Sequence, residues 1–146
     1  MNKWLLFIIT GVILLAGCNR QSEQTMFTIA DARDQPAVWI DIEKKGDSVG
    51  DVLTFDQPLL DKKNKKIGNN SGFCIRTRIA HSFQCQWTLQ FSDGSIQVAG
   101  REFDKRISTL SIVGGSGKYS GVRGEMKSTN NNDGTFSQVL FYRYYR

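Results

Sequence analysis

The stretch LSIVGGSGKYSGVRGEM, residues 110–126, decides how the chain is expected to fold. Alternating apolar and polar residues flank a segment with five glycines among residues 114–124. Glycine adopts backbone angles that other residues avoid, and it lets neighbouring chain approach closely. The pattern predicts a strand, a tight corner at Gly114, Gly115 and Gly117, and a second strand of a curved sheet. A phosphate-binding loop is disfavoured because it needs a following helix and a Lys-Ser/Thr pair, and neither is present.

Most of the chain after Met26 is also strand-like. Val38–Ile42 alternates and predicts a half-buried strand, and residues 83–91 alternate over their whole length. Asp93-Gly94 then predicts a two-residue hairpin turn. Such a turn would place Phe91 opposite Ile96, Leu89 opposite Val98 and Trp87 opposite Gly100.

We count about eight strands joined by short turns and no convincing amphipathic helix after the N-terminal segment. This count predicts an all-β fold, a small antiparallel eight-stranded β-barrel. The interior of such a barrel is filled by side chains or holds one small ligand.

The first residues have the pattern of an export signal. Lys3 precedes an apolar core, Leu5–Leu15, that is too short to span a membrane comfortably. Residues 15–18, Leu-Ala-Gly-Cys, resemble the lipobox of bacterial lipoproteins, in which the cysteine is lipidated. An ordinary signal anchor with an incidental cysteine is the alternative.

The lipobox divides the chain into a signal peptide (1–17), a tether (18–25) that carries lipid such as palmitate on Cys18, and a barrel domain (26–146). We therefore expect a membrane-anchored protein of the cell envelope. The residue after the cysteine is Asn19 and not aspartate, which favours the outer membrane in a cell with two membranes.

The charge of the chain says less about its partners than the lipobox does. The net charge of +5 falls to +4 when residues 1–17 are removed, because Lys3 is their only charged residue. Lys62, Lys63, Lys65 and Lys66 cluster in one segment, and such lysine-rich loops are usually only solvated. No continuous basic stripe is present, so we predict no nucleic-acid partner.

Two cysteines remain beside Cys18. Cys74 and Cys85 lie on successive predicted strands with a reversal near residues 79–82, so we predict a disulfide, which persists in an exported domain. Two buried thiols, or a metal pair with His81, are the alternatives. His81 is the only histidine, and no nucleophile motif, paired metal ligands or cofactor motif accompanies it. We therefore predict no metal and no cofactor.

Two segments carry a family resemblance. Residues 114–119 followed by Arg123-Gly124 resemble the G-G-T-G-x-F/Y…R-G signature of dirigent proteins and the related allene oxide cyclase barrel. Residues 52–59, followed by Ile67-Gly68 and Gly72-Phe73, resemble the strand, D-x-P-L turn and glycine pair of the same families. The resemblance implies the same barrel architecture and admits a homo-trimer.

The resemblance also indicates candidate ligand-binding residues. Asp56 and Arg123 match the acidic and arginine side chains with which dirigent proteins steer radical coupling. Period-2 alternation would place Tyr119, Arg123 and Glu125 on one face, opposite Val122 and Met126; Asp56, Tyr119 and Arg123 are our candidates.

No catalytic residue can be assigned. Thr54 and Gln57 stand near the positions where the cyclases have proline and asparagine, and Lys118 replaces an acid of many dirigent proteins.

Three functions follow from these observations. The leading hypothesis is a membrane-anchored module whose barrel binds a small, largely apolar ligand or a protein partner. One alternative is an isomerase or cyclase of the allene oxide cyclase or dirigent type. The other is a periplasmic lysozyme inhibitor, because residues 116–119 loosely resemble the Ser-Gly-x-Lys/Arg-Tyr loop of such inhibitors.

Overall fold

The computed structural model describes residues 22–145, and every regular element in this range is a β-strand. The predicted signal peptide and Cys18 lie outside the described residues. Within the range, no helix is long and apolar enough to cross a membrane. The nine strands are β1 (Gln24–Asp31), β2 (Val38–Ile40), β3 (Val52–Leu60), β4 (Lys66–Arg78), β5 (Ser82–Phe91), β6 (Gly94–Phe103), β7 (Ser108–Gly117), β8 (Val122–Asn130) and β9 (Thr135–Tyr144).

Eight of these strands form a closed antiparallel barrel. The order in the sheet is β1-β9-β8-β7-β6-β5-β4-β3-β2, and a further pairing of β1 with β3 closes it. Among the described strands, β2 pairs only with β3 and lies at an edge outside the closed ring. The predicted all-β, eight-stranded barrel is therefore confirmed.

The core is the interior of this barrel. On β5 the alternating positions 83, 85, 87, 89 and 91 are all buried, while 84, 86 and 90 face solvent. Alternation of this kind follows from the two-residue period of a strand, which sends successive side chains to opposite faces. The core residues include Leu59, Leu89, Val98, Met126 and Leu140, none of which is accessible to solvent.

The two ends of the barrel differ. The turns at residues 61–65, 92–93 and 118–121, together with the start of β1 and the end of β9, lie at one end, which we call the closed end. There Tyr119 and Phe91 are buried with their ring centroids 5.2 Å apart. The connections at residues 32–51, 79–81, 104–107 and 131–134 lie at the other end, which we call the open end.

The predicted register of the β5–β6 hairpin is wrong. Leu89 pairs with Ile96 and Trp87 with Val98, a shift of two positions on β6. The turn consists of Ser92 and Asp93, because Gly94 already belongs to β6 and pairs with Gly117 of β7. A Cβ on Gly94 would overlap the backbone oxygen of Ser116, so this glycine permits close strand contact.

The glycine-rich corner exists, but its boundaries differ from the prediction. Gly114, Gly115 and Gly117 belong to the last four residues of β7, and the turn itself spans residues 118–121. Over these four positions β7 pairs with β6 only, because its pairing with β8 ends at Ile112. A register shift between β6 and β7 lies just before them. The strand end thus bends away from β8 and leaves room for the turn.

The predicted strand around residues 38–42 is shorter and more exposed than expected. Strand β2 ends at Ile40, and both Val38 and Ile40 are largely exposed. Only Trp39 packs, with its ring centroid 5.7 Å from that of Phe83. An edge strand outside the barrel has no core to bury its second face, which explains the difference.

The predicted disulfide is confirmed. Cys74 of β4 lies directly opposite Cys85 of β5, with Cα atoms 4.0 Å apart, and the sulfur atoms are bonded. Both residues are buried in the barrel. The bond therefore joins two inward-facing positions of neighbouring strands.

Candidate functional site: the cavity of the barrel

A cavity of about 90 Å³ occupies the open half of the barrel and is not fully enclosed. Its wall is mostly apolar, with a few polar side chains. The lining residues are Ala30, Ala37, Leu53, Phe55, Gln57, Asn70, Cys74, Trp87, Glu102, Ser128, Phe136 and Gln138. An engineered apolar cavity of about 150 Å³ holds benzene, so this cavity accommodates part of a small organic molecule.

Glu102 is the acidic residue of this wall. It lies near the end of β6, in phase with the inward-facing Ile96 and Val98. Its Oε1 accepts a hydrogen bond from Ser128 Oγ at 2.9 Å, whereas Oε2 is buried and has no hydrogen-bond partner among residues 22–145. A buried carboxylate oxygen without a partner is rare in folded proteins and calls for an explanation such as a ligand, a proton or a water molecule.

The environment of Glu102 changes its acidity. Burial raises the pKa of Glu102 to about 7, although the nearby hydroxyl groups of Ser128 and Ser108 act in the opposite direction. The charged form is disfavoured because the surrounding wall solvates it poorly. The carboxyl group therefore exchanges its proton near neutral pH.

Trp87 supplies a second polar atom without a partner. Its ring lies 6.0 Å from Phe55 in an edge-to-face arrangement, and its buried Nε1 donates to no protein acceptor in the described part of the chain. Buried indole N–H groups usually find an acceptor. Together with Glu102 Oε2, it gives the cavity one unused donor and one unused carboxyl oxygen.

Several polar side chains beside the cavity form hydrogen bonds with one another. Thr28 Oγ1 donates to Gln138 Oε1 at 2.9 Å, and Gln138 Nε2 donates to Asn70 Oδ1 at 3.3 Å. Gln57 is buried next to Asn70, its partner across β3 and β4. These amides are fixed by the sheet and can hold an oxygen or nitrogen atom of a ligand.

An ion cluster stands at the open end. The buried Arg76 donates through Nη1 to both carboxylate oxygens of Asp104, at 2.7 and 2.9 Å, and its Nε lies 2.6 Å from Asp47 Oδ1. The guanidinium carbon lies 3.6 Å from the ring centroid of Phe83. Asp47 also accepts a hydrogen bond from Ala80 N, so the cluster fastens the β2–β3 connection to the barrel.

The three ligand-binding candidates from the sequence are not brought together. Asp56 is exposed and accepts a hydrogen bond from Asn69. Arg123 is also exposed and donates to the carbonyl oxygen of Val122. Tyr119 is buried at the closed end, away from the cavity lining.

The predicted alternation around Tyr119 is wrong. Tyr119 is buried with Val122 and Met126, whereas Arg123 and Glu125 face outward. The period of two does not continue through residues 118–121, because these residues form a turn and not a strand. In the same turn, Lys118 forms an exposed ion pair with Asp93.

The polar cavity residues were missed, although the sequence contains their signal. Continuing the alternation of β6 from Ile96 and Val98 by four residues reaches Glu102. Continuing the alternation of β4 from Cys74 by two residues reaches Arg76. A charged residue in phase with an apolar face is the pattern that would have indicated both.

A family model provides an independent comparison. The model described as dirigent-like protein matches residues 16–145. The chain belongs to the dirigent-like family. The match covers nearly the whole chain and extends beyond the two motif segments on which the resemblance was based.

Solved structures with the same fold come from several kinds of protein. A pyocyanin demethylase superposes with a TM-score of 0.72 at 22% sequence identity, over 82% of this chain and 100% of that chain. A pterocarpan synthase dirigent protein gives a TM-score of 0.67 at 18% identity, over 88% and 97% of the two chains. A Diels–Alderase from Streptomyces koyangensis gives 0.67 at 17% identity, over 84% and 64%. At these identities the likeness establishes the fold alone.

Proposed function

We propose that this dirigent-like protein is an enzyme that binds a small, largely apolar organic molecule in its barrel cavity and isomerises or cyclises it by moving a proton at Glu102. One observation carries the proposal. A carboxyl group with a pKa of about 7 lines an apolar cavity, and one of its oxygens, Oε2, has no partner in the described part of the chain.

The chemistry follows from the acidity of this group. A general acid or base acts best when its pKa lies near the working pH, because both protonation states are then available. Glu102 can take a proton from a carbon or oxygen atom of the ligand and return it elsewhere on the same molecule. Such a transfer changes the bonding of the ligand without a net change in composition.

The wall orients the ligand during this transfer. The rings of Trp87 and Phe55 offer an apolar surface, and the Trp87 N–H can donate a hydrogen bond. The amides of Asn70 and Gln57 mark the inner limit of the cavity. The cavity holds only part of a small organic molecule, so the rest of the ligand would extend through the open end.

The named activities of proteins with the same fold support an enzyme more than a binding module. Their descriptions include a demethylase, a pterocarpan synthase dirigent protein and a Diels–Alderase. One of these names, Diels–Alderase, denotes an enzyme that forms a ring by cycloaddition. We transfer only the class of reaction to this chain, as part of the proposal.

The location of the enzyme is a further part of the proposal. Lipid on Cys18 would anchor the barrel in the cell envelope, as the lipobox predicts. A Cys18→Ser variant should remain uncleaved, and labelled palmitate should not enter it. Incorporation of label into this variant would contradict the anchor.

A generic proton-transfer probe tests the chemistry without knowledge of the substrate. In 5-nitrobenzisoxazole, a base removes the ring C–H proton, the N–O bond breaks, and a yellow cyanophenolate appears. We expect the purified protein to accelerate this reaction, with a rate that rises through about pH 7 as Glu102 loses its proton. Glu102→Gln should abolish the acceleration.

Two control variants make the result specific. Ser128→Ala removes a hydrogen bond that favours the charged form of Glu102, so the midpoint of the pH profile should move upward. Glu125→Gln, on the outer face of β8, should leave the profile unchanged. Equal rates for wild type and Glu102→Gln would overturn the proposal.

The natural ligand should be sought in parallel. Mass spectrometry of small molecules that co-purify with the protein would identify it. A molecule that is bound through Trp87 but released unchanged would indicate the binding module and not the enzyme.

A further inference from the structure

Positive charge is concentrated at the closed end of the barrel. Within three residues of its turns and chain ends lie seven cationic and three anionic side chains, which leaves a formal charge of +4. They are Lys62, Lys63, Lys65, Lys66, Lys118, Arg123 and Arg143, with Glu23, Asp61 and Asp93. The remaining residues between 22 and 145 have nine cationic and eleven anionic side chains, a formal charge of −2.

The barrel is therefore electrically polar along its axis. The lysines of the β3–β4 connection are exposed, and Asp61 is occupied in accepting backbone hydrogen bonds from Lys63 and Lys65. Lys62 Nζ lies 5.3 Å from the ring centroid of Phe27, whereas the exposed Lys63 and Lys65 form no ion pair within the described residues and are available to an external anion. The connection does not border the catalytic cavity proposed above.

The chain also enters the barrel at this end. Gln24, the first residue of β1, pairs with Tyr142 near the end of β9. Cys18 precedes Ser22 by four residues, which span at most about 14 Å. A lipid on Cys18 would keep the closed end within about 14 Å of the membrane surface, and so short a tether lets its charges approach the headgroups to within one Debye length, about 10 Å.

An exposed aromatic residue accompanies these charges. Tyr145, 63% exposed, borders a shallow groove that Lys118 and Ser22 also line. Tyrosine is enriched where proteins meet the membrane–water interface, because its ring is apolar and its hydroxyl is polar. Cationic side chains beside an interfacial tyrosine fit an anionic lipid surface.

We infer that the closed end of the barrel is a docking surface for anionic phospholipid headgroups, with the open end facing away from the membrane. Basic residues and a lipid chain are the two kinds of signal that together give stable membrane attachment. In this orientation the ligand enters the cavity from the aqueous side.

Vesicle flotation of the full chain tests the inference. We compare vesicles of phosphatidylcholine alone with vesicles containing about 30 mol % phosphatidylglycerol, at roughly 0.1 M salt. The apolar N-terminal segment contributes to binding on both, so the measured quantity is the ratio of the two partition coefficients. We expect phosphatidylglycerol to raise partitioning and high salt to remove the increase.

Two matched double variants locate the surface. Lys63→Gln with Lys65→Gln removes two charges from the closed end, and Lys44→Gln with Lys45→Gln removes two from the open end. Each lysine near an anionic surface contributes about fivefold, so the first pair should lose roughly 30-fold of the phosphatidylglycerol-dependent binding. The second pair should lose less than about threefold, because its lysines face away from the membrane.

The outcomes separate docking from other effects. Circular dichroism should show unchanged folding of both double variants, since all four side chains are exposed. Equal losses in both variants would indicate a response to net charge and would overturn the inference. The absence of any phosphatidylglycerol dependence in the wild type would overturn it too.

Discussion

The closed and open halves of the barrel are built from the same eight strands but use their inward-facing positions differently. In the closed half, Tyr119, Phe91 and Leu59 fill the interior. In the open half, Glu102 and Trp87 border a cavity, and each has a buried polar atom without a partner. One half thus provides packing, and the other has polar groups whose burial is not compensated within the described chain.

The difference indicates how the protein separates stability from function. The interior of an eight-stranded barrel is just wide enough to be filled by side chains or to hold one small ligand, and the two halves use these two options. The open half can then carry a carboxyl group in an apolar wall, which a fully packed core would not tolerate without a partner. Variants in the two halves should accordingly fail in different ways.

The largest effect is expected from added volume at the closed end. A Cβ on Gly115 would lie 2.7 Å from the backbone oxygen of Ser95 and 2.9 Å from Cβ of Tyr119. Gly115→Val should therefore lower the unfolding free energy by about 3 kcal/mol or more, as overpacking against backbone does. Urea denaturation followed by tryptophan fluorescence measures this change.

Gly114 is the matched control for that variant. A Cβ there would meet only Arg123 Nη1, at 3.6 Å, which is the end of a flexible side chain. Gly114→Ala should change the unfolding free energy by less than about 1 kcal/mol. Similar losses in both variants would mean that the closed end is not as tightly packed as we describe.

An effect of comparable size is expected at Glu102, where it comes from the protonation of a buried carboxyl group and not from packing. Its folded-state pKa of about 7 exceeds the usual value of 4.5, so the folded protein retains a proton that the unfolded chain releases between these pH values. The unfolding free energy should therefore fall as pH rises from about 4.5 to 7, by up to about 3 kcal/mol. Denaturant unfolding at several pH values measures this slope.

Substitution should remove that slope. Glu102→Gln has no titrating group, so the stability of this variant should vary less over the window and exceed that of the wild type above pH 7. Glu125→Gln, exposed on β8, should keep the wild-type slope. If Glu102→Gln retained the full slope, Glu102 would not be the buried acid of the open half.

The disulfide joins two neighbouring strands beside the cavity of the open half, and its removal is expected to have an intermediate effect. It closes a short loop, because Cys74 and Cys85 have a sequence separation of 11. Replacing both cysteines by alanine should cost about 2–3 kcal/mol through the greater freedom of the unfolded chain. Cys18→Ser is the control, and an unchanged denaturation midpoint for the double variant would contradict the bond.

The barrel could be predicted from the sequence because its signals are local. Alternation on β5, the cysteine pair and the glycines before Lys118 each depend on a few neighbouring residues. The register of the β5–β6 hairpin could not, because Gly94 is placed by its partner Gly117 on a distant segment. The pairing of β6 with β7 sets the position of this turn at Ser92 and Asp93, whereas the local Asp-Gly signal predicted a turn at Asp93 and Gly94.

The residues of the cavity also show that local sequence signals predict only part of the structure. The sequence directed attention to Asp56 and Arg123, which match a family motif but face solvent. Glu102 follows the β6 alternation, yet its acidity depends on Ser128 and on the apolar side chains that other strands bring around it. The strand period alone predicts that Glu102 points inward. Whether its carboxyl oxygens find partners depends on residues that other strands bring together.

The smallest effect is expected from the charge nearest the glycine corner. Lys118 Nζ lies 3.0 Å from Asp93 Oδ2, but both side chains are about half exposed, and such surface ion pairs contribute little. Lys118→Ala should therefore change the unfolding free energy by no more than about 0.5 kcal/mol.

Gly117→Val, one residue earlier, should cost at least about 1 kcal/mol, because Gly117 has a φ of 57° and a Cβ would lie 2.5 Å from the backbone oxygen of Asp93. Thermal unfolding of the two variants side by side measures the contrast, and lysozyme binding is recorded on the same samples. A stable Gly117→Val beside a Lys118→Ala that loses lysozyme binding would show that residues 116–119 are a recognition loop, and that the closed end does more than close the barrel and face a membrane.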